Sequence, residues 1–192
     1  MNRLFHFGHI FLGLTFATAC ATAAASSAQA TLAHAVLQSP SGVGGTIMFS
    51  ESGGKVTVTA QLTGVAAGEH GFHIHETGDC SAPDFKSAGG HFNPTNVAHG
   101  APSDAAHHAG DLGNITIAAD GSGKLTISSS MFTLAAGTNS IVGKAVIVHE
   151  KVDDFKTQPT GNAGGRIACG VIELGDYNIS SSAPTAPPGT SF

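Results

Sequence analysis

Apolar and polar positions alternate with a period of two along much of the chain. In Val56-Thr57-Val58-Thr59 the alternation is clean, and an extended backbone would put both valines on one face and both threonines on the other. Runs of this kind predict eight strands, over residues 32–38, 46–50, 56–62, 71–75, 112–118, 124–128, 145–149 and 168–174. Turn signals separate several of them, among them Ser52-Gly53-Gly54 and Asp120-Gly121-Ser122-Gly123. No helical period is sustained anywhere. The expected fold is all-β, an eight-stranded antiparallel Greek-key barrel or sandwich. Residues 76–110 and 150–165 carry no strand pattern, and loops of that length in a small domain usually have a function.

Composition sharpens this at the two ends of the chain. The 192 residues suit one domain plus extensions. Arg3, an apolar run over residues 10–19 and the small-residue site Ala28-Gln29-Ala30 read as a signal peptide over residues 1–30. An alternative is lipoprotein processing at Cys20, although Ala17 stands where such sites usually carry Leu. The domain then spans 31–176, and the Ser-, Pro- and Thr-rich tail 177–192 reads as disordered. Beyond the N-terminal region no apolar stretch approaches ~18 residues, so no membrane span is expected. The protein reads as periplasmic or otherwise exported. Loss of Cys20 with the signal would leave Cys80 and Cys169, an even pair in an oxidising compartment, which predicts a disulfide.

Candidate chemistry lies in the histidines. The chain has 11 of them. His73 and His75 flank one residue of a predicted strand, so both imidazoles face the same way. His91, His99, His108 and Asp111 lie close together further on, and His149 ends another strand. These seven residues predict metal binding, with two ions. His34, His70 and His107 read as ordinary histidines, although His107 competes with its neighbour His108.

The runs GFHIHETGDC, GGHFNP, HHAGDLGN, VIVHEKVDD and TGNAGGRIACGVIEL together resemble the copper,zinc superoxide dismutases, in that family's order and spacing. The resemblance covers roughly residues 32–175, and the short 150–165 loop is similar to the bacterial branch. It implies copper held by His73, His75, His91 and His149, a set suited to Cu(II). It implies zinc held by His91, His99, His108 and Asp111, a closed tetrahedral set. His91 would bridge the two ions. Asp153 would orient His73 and His99 through their outer nitrogens. Arg166 would hold the superoxide anion beside copper, with a structural role toward loop carbonyls equally open, and Thr160 would narrow the channel opposite. The implied activity is dismutation of two superoxide anions to oxygen and hydrogen peroxide as copper cycles between Cu(II) and Cu(I), with His91 and Arg166 as the catalytic residues. The resemblance also matches the Cys80–Cys169 pair.

Three rivals keep the same fold: a metal store, a copper-chaperone domain and a copper-only dismutase. The full copper set argues against the chaperone and the zinc set against the copper-only form. Arg166 argues against storage, which needs no anion site. Charge adds one constraint. Without Arg3 there remain 13 acids against seven bases, so an anionic substrate must be attracted locally, by Arg166 with Lys86, Lys151 and Lys156 as candidates. Net acidity argues against nucleic acid as a partner. Relatives of this kind are monomers or homodimers.

Overall fold

The computed structural model describes residues 30–176 and folds them into nine strands. These are β1 Thr31–Val36, β2 Gly44–Ser52, β3 Lys55–Thr63, β4 Gly68–His75, β5 Asp111–Ile117, β6 Gly123–Ser129, β7 Ala145–His149, β8 Arg166–Val171 and β9 Glu173–Leu174. The alternation read in β3 is realised: Val56, Val58, Ala60 and Leu62 are buried and the residues between them are not. All pairs are antiparallel, in the order β8-β7-β4-β5-β6-β3-β2-β1-β9. Two connections, β3 to β4 and β6 to β7, pass over intervening strands, which is the Greek-key feature.

The sheet is nearly closed into a barrel, and closure explains the one difference in strand count. The predicted strand 168–174 divides at Ile172, which is fully buried. Its first part, β8, pairs with β7, and its second part, β9, pairs with β1 at the other end of the sheet. One strand thus serves both edges. Gln38 and Cys169 seal the seam with reciprocal backbone hydrogen bonds of 2.8 and 3.1 Å. Closure removes the unpaired edge that an open sheet would expose.

The barrel is filled by Ile47, Phe49, Phe72, Ile74 and Ile115, all fully buried. A second cluster of Phe85, Ala88, Ala145, Ile147 and Cys169 lies outside it, beneath the 76–110 loop. Strand β7 is therefore buried on both faces, Val146 and Val148 toward the barrel and Ala145 and Ile147 toward the loop. Burying a side chain such as Phe85 contributes roughly 1.5–3 kcal/mol, so the loop is fastened by packing as well as by covalent linkage. That linkage is the Cys80–Cys169 disulfide, with Cα atoms 5.8 Å apart. The 76–110 loop holds only a short 3₁₀ turn, Lys86–Ala88. A third loop, 130–144, escaped the sequence reading. It caps the barrel with Phe132, Leu134 and Ile141, and the Glu51 carboxylate accepts hydrogen bonds from Thr133 Oγ1 and the Leu134 N–H.

Among the described residues no helix is long and apolar enough to cross a membrane. The expected signal peptide, the Cys20 alternative and the 177–192 tail lie outside the described residues.

Candidate metal centre

Strand periodicity places the first ligands. On β4, Phe72 and Ile74 enter the barrel, so His73 and His75 must leave it on the opposite face. On β7, His149 shares the outer face with Ile147, and a bulge between Val148 and His149 turns the strand end toward Arg166, its partner on β8. The long loop then folds back onto the β4 edge. His75 and His91 form a bridge, the Phe92 N–H donates to the Ile74 carbonyl at 2.8 Å, and the Ile74 N–H donates to the Gly110 carbonyl at 2.9 Å. His91 and Asp111, 20 positions apart in the chain, are brought together by this edge.

Two groups result, and all their residues are buried. His73, His75, His91 and His149 bring one ligand atom each within 4.8 Å of one another, and so do His91, His99, His108 and Asp111. His91 belongs to both. Its ring centroid is 4.0 Å from that of His73, 5.0 Å from His75, 5.4 Å from His99 and 5.6 Å from His108.

The outer atoms are bound to protein, which leaves the inner atoms aimed at the sites. His73 Nε2 is 2.8 Å from Asp153 Oδ2, and His99 Nε2 is 3.0 Å from Asp153 Oδ1. His75 Nδ1 hydrogen-bonds the Gly89 carbonyl at 2.9 Å, and its Nε2 lies 3.4 Å from His149 Nε2. Asp111 Oδ2 accepts the His108 N–H at 2.8 Å, while Oδ1 lies 2.7 Å from His91 Nδ1. Among the described residues Nδ1 of His73 and Nε2 of His91 are buried with no hydrogen-bond partner, and Nδ1 of His99 and of His108 face Asp111 Oδ1 at 3.0 and 3.3 Å. An unpaired buried nitrogen costs about 1–3 kcal/mol, and native proteins rarely leave several in one place. Lone pairs converging on two points satisfy that cost by binding cations. The first donor set, four imidazoles, fits copper; the second, three imidazoles and a carboxylate, fits zinc.

Electrostatics keep four of the histidines neutral, as metal ligands must be. Burial lowers the pKa of His73 to about 4 despite Asp153, and that of His149 to about 3. Burial likewise takes His75 well down and His108 down. His99 goes the other way: burial opposes its charge, but Asp111 and Asp153 outweigh burial and raise it to about 9. Burial also works against the two carboxylates, yet their histidine partners hold Asp111 and Asp153 well below the ordinary range.

The Arg166 guanidinium donates to the Phe85 and Gly89 carbonyls, each at 2.6 Å, so its structural reading holds. Gly89 has φ +74°, and a Cβ there would run into the Glu76 side chain, so only glycine suits this turn. Thr160 is half-buried on the turn that precedes Gly161. His107 is set apart from the ligands: its Nδ1 lies 2.8 Å from the His108 carbonyl, and it lines a surface cavity of about 300 Å³ with Pro102 and Met131.

Two residues, Asn114 and Gln158, escaped the sequence reading, and the environment of a third, His70, was not legible in it. His70 is an ordinary histidine of the core kind: it is buried, its ring nitrogens 2.8 and 2.9 Å from the carbonyl oxygens of His149 and Ala66. Asn114 spans the Asp153 backbone: its Nδ2 donates to the Asp153 carbonyl at 2.9 Å and its Oδ1 accepts the Asp153 N–H at 2.8 Å. Gln158 spans the backbone of His99 in the same manner. Only for His70, one residue from the GFHIH run, did the sequence offer any hint.

A nearly closed antiparallel barrel with two histidine-rich groups sharing one imidazole defines a two-metal β-barrel protein. The family model described as copper/zinc superoxide dismutase matches residues 43–172, and the chain belongs to that family of oxidoreductases. It is also similar to a solved structure titled as the clock protein EA4, at 41% identity. That match covers 76% of this chain and 96% of the other, with a TM-score of 0.70.

Proposed function

We propose that this protein is an exported superoxide dismutase in which His73, His75, His91 and His149 hold copper and His91, His99, His108 and Asp111 hold zinc. Membership of the family supports the activity. The observation that carries the residue assignment is the set of four buried inward nitrogens, two without a partner and two facing Asp111, distributed over two groups that share His91. Copper bound there would supply one-electron cycling, and zinc a fixed positive charge.

The overall reaction consumes two superoxide anions and two protons and yields oxygen and hydrogen peroxide. The chain contributes orientation, charge and a proton site. Arg166 lies close enough to His75 and His149 for its charge to lower both their pKa values, though less than burial does. Its guanidinium is half-buried, held by two carbonyls, and presents fixed charge to an incoming anion. His91 Nε2, buried without a partner, is the atom suited to carry one of the two protons. Asp153 fixes the rings of His73 and His99, so it orients one ligand of each metal. Thr160 would narrow the approach opposite Arg166.

Export is supported by the Cys80–Cys169 disulfide and by the N-terminal apolar run over residues 10–19 followed by the small-residue site Ala28-Gln29-Ala30, with residues 31–176 as the working domain. The role would then be antioxidant defence outside the cytoplasm. Elemental analysis of protein folded with both ions should find one copper and one zinc per chain. Zinc alone at saturating copper would overturn the assignment.

A further inference from the structure

The 150–165 loop grips one zinc-side histidine twice. Asp153 Oδ1 lies 3.0 Å from the ring Nε2 of His99. Five residues later, Gln158 takes the backbone of the same residue: the His99 N–H donates to Gln158 Oε1 at 2.9 Å, and Gln158 Nε2 donates to the His99 carbonyl at 2.9 Å. A primary amide meeting both groups of one residue copies a pair of β-ladder bonds and fixes the peptide. With the peptide held by Gln158 and the ring held by Asp153, little freedom remains for the ring. Its Nδ1, buried and 3.0 Å from Asp111 Oδ1, is left aimed at the group of His91, His108 and Asp111.

The loop is itself braced at this point. Asn114 clasps the Asp153 backbone from β5 with two hydrogen bonds. Gly161, at φ +66°, lets the turn close against the Asp153 carboxylate, where a Cβ would collide with it. Gln158 lies between these two supports and reaches the His99 backbone from this loop with both ends of its amide.

We propose that Gln158 is a positioning residue that makes the 91–111 segment and the 150–165 loop order as one unit when zinc binds. This rests on zinc at His91, His99, His108 and Asp111. The coupling is reciprocal: zinc should order the loop that leads to Arg166, and the amide should strengthen zinc binding. A merely structural amide would stabilise the protein equally with and without zinc.

The test uses purified full-domain protein, its Gln158→Ala and Gln158→Glu variants, and zinc alone as the probe. Removing two neutral hydrogen bonds should weaken zinc, measured by chelator competition, by roughly five- to a hundredfold in Gln158→Ala. Gln158→Glu keeps the acceptor but sets a carboxylate against the His99 carbonyl, and should weaken zinc at least as much. The rise in melting temperature on adding zinc should shrink in both, and zinc should no longer slow amide exchange across 153–161. Wild-type zinc affinity and wild-type exchange protection in both variants would overturn the inference while leaving the zinc site standing. A wild type that bound no zinc would overturn the site and the inference together.

Discussion

His75 and Arg166 share one acceptor. The Gly89 carbonyl oxygen takes a hydrogen bond from His75 Nδ1 at 2.9 Å and another from Arg166 Nη2 at 2.6 Å. The proposed copper ligand and the proposed anion-holding cation are thereby set relative to each other by a single backbone atom. That atom belongs to the loop that the disulfide ties to β8.

Arg166→Ile should therefore keep both metals yet lose much of the rate. One charge-assisted hydrogen bond to the anion is worth about 1.5–3 kcal/mol, which corresponds to roughly ten- to a hundredfold. Arg166→Glu should fall further, since a carboxylate repels superoxide. Raising salt should slow the wild type, because charges beyond about 8–10 Å become screened, and should slow the Ile variant less. Stopped-flow superoxide decay on metal-quantified samples checks this. Full activity in Arg166→Glu with copper bound would overturn Arg166 as the residue that holds the anion.

His91→Ala removes a ligand from each group, because His91 alone belongs to both. Zinc affinity should drop and the copper absorption spectrum should cease to respond to zinc. Titrating each ion into the variant in the presence of the other measures both effects.

Reducing Cys80–Cys169, or replacing both by Ser, opens a loop closed across 89 positions. Loop closure of that length contributes about 4–5 kcal/mol on entropic grounds. The melting temperature should fall by roughly 10 °C, and activity should decline because the Phe85 and Gly89 carbonyls loosen. Calorimetry with and without reductant is the measurement.

Acid and base should act on different histidines of the metal-free protein. His73 and His149, lowered to about 4 and about 3, are neutral when folded, whereas the unfolded chain takes up their protons below about 6.5. Their stabilisation is present above that pH and is lost as pH falls toward 4 and 3. His99, raised to about 9, stabilises fully below about 6.5, and that contribution is lost as pH rises through 9. Urea midpoints should peak near pH 6.5–7. Zinc must displace the His99 proton, so its apparent affinity should rise by about tenfold per pH unit from 7 to 9 and then level.

Much of this was legible because the chemistry rides on strand periodicity. His73-Ile74-His75 put two imidazoles on one face, and the partnered face was visible in Phe72 and Ile74. The split of 168–174 was not legible, since Ile172 continues an apolar run and only barrel closure requires it to divide pairing between β7 and β1. Gln158 and Asn114 were equally hidden. An amide that clasps a peptide 59 or 39 positions away carries no local signal in its own neighbourhood. His70 differs from a surface histidine only through the carbonyls of Ala66 and His149 that the fold brings to it.

Two histidine groups sharing His91 should make a working dismutase. The most direct measurement is superoxide decay followed by stopped flow on protein carrying quantified copper and zinc. The expected result is one copper and one zinc per chain and decay that continues through many turnovers per copper, lost on copper removal and restored by copper alone among added ions. Decay no faster than with metal-free protein, at full copper and zinc occupancy, would contradict it.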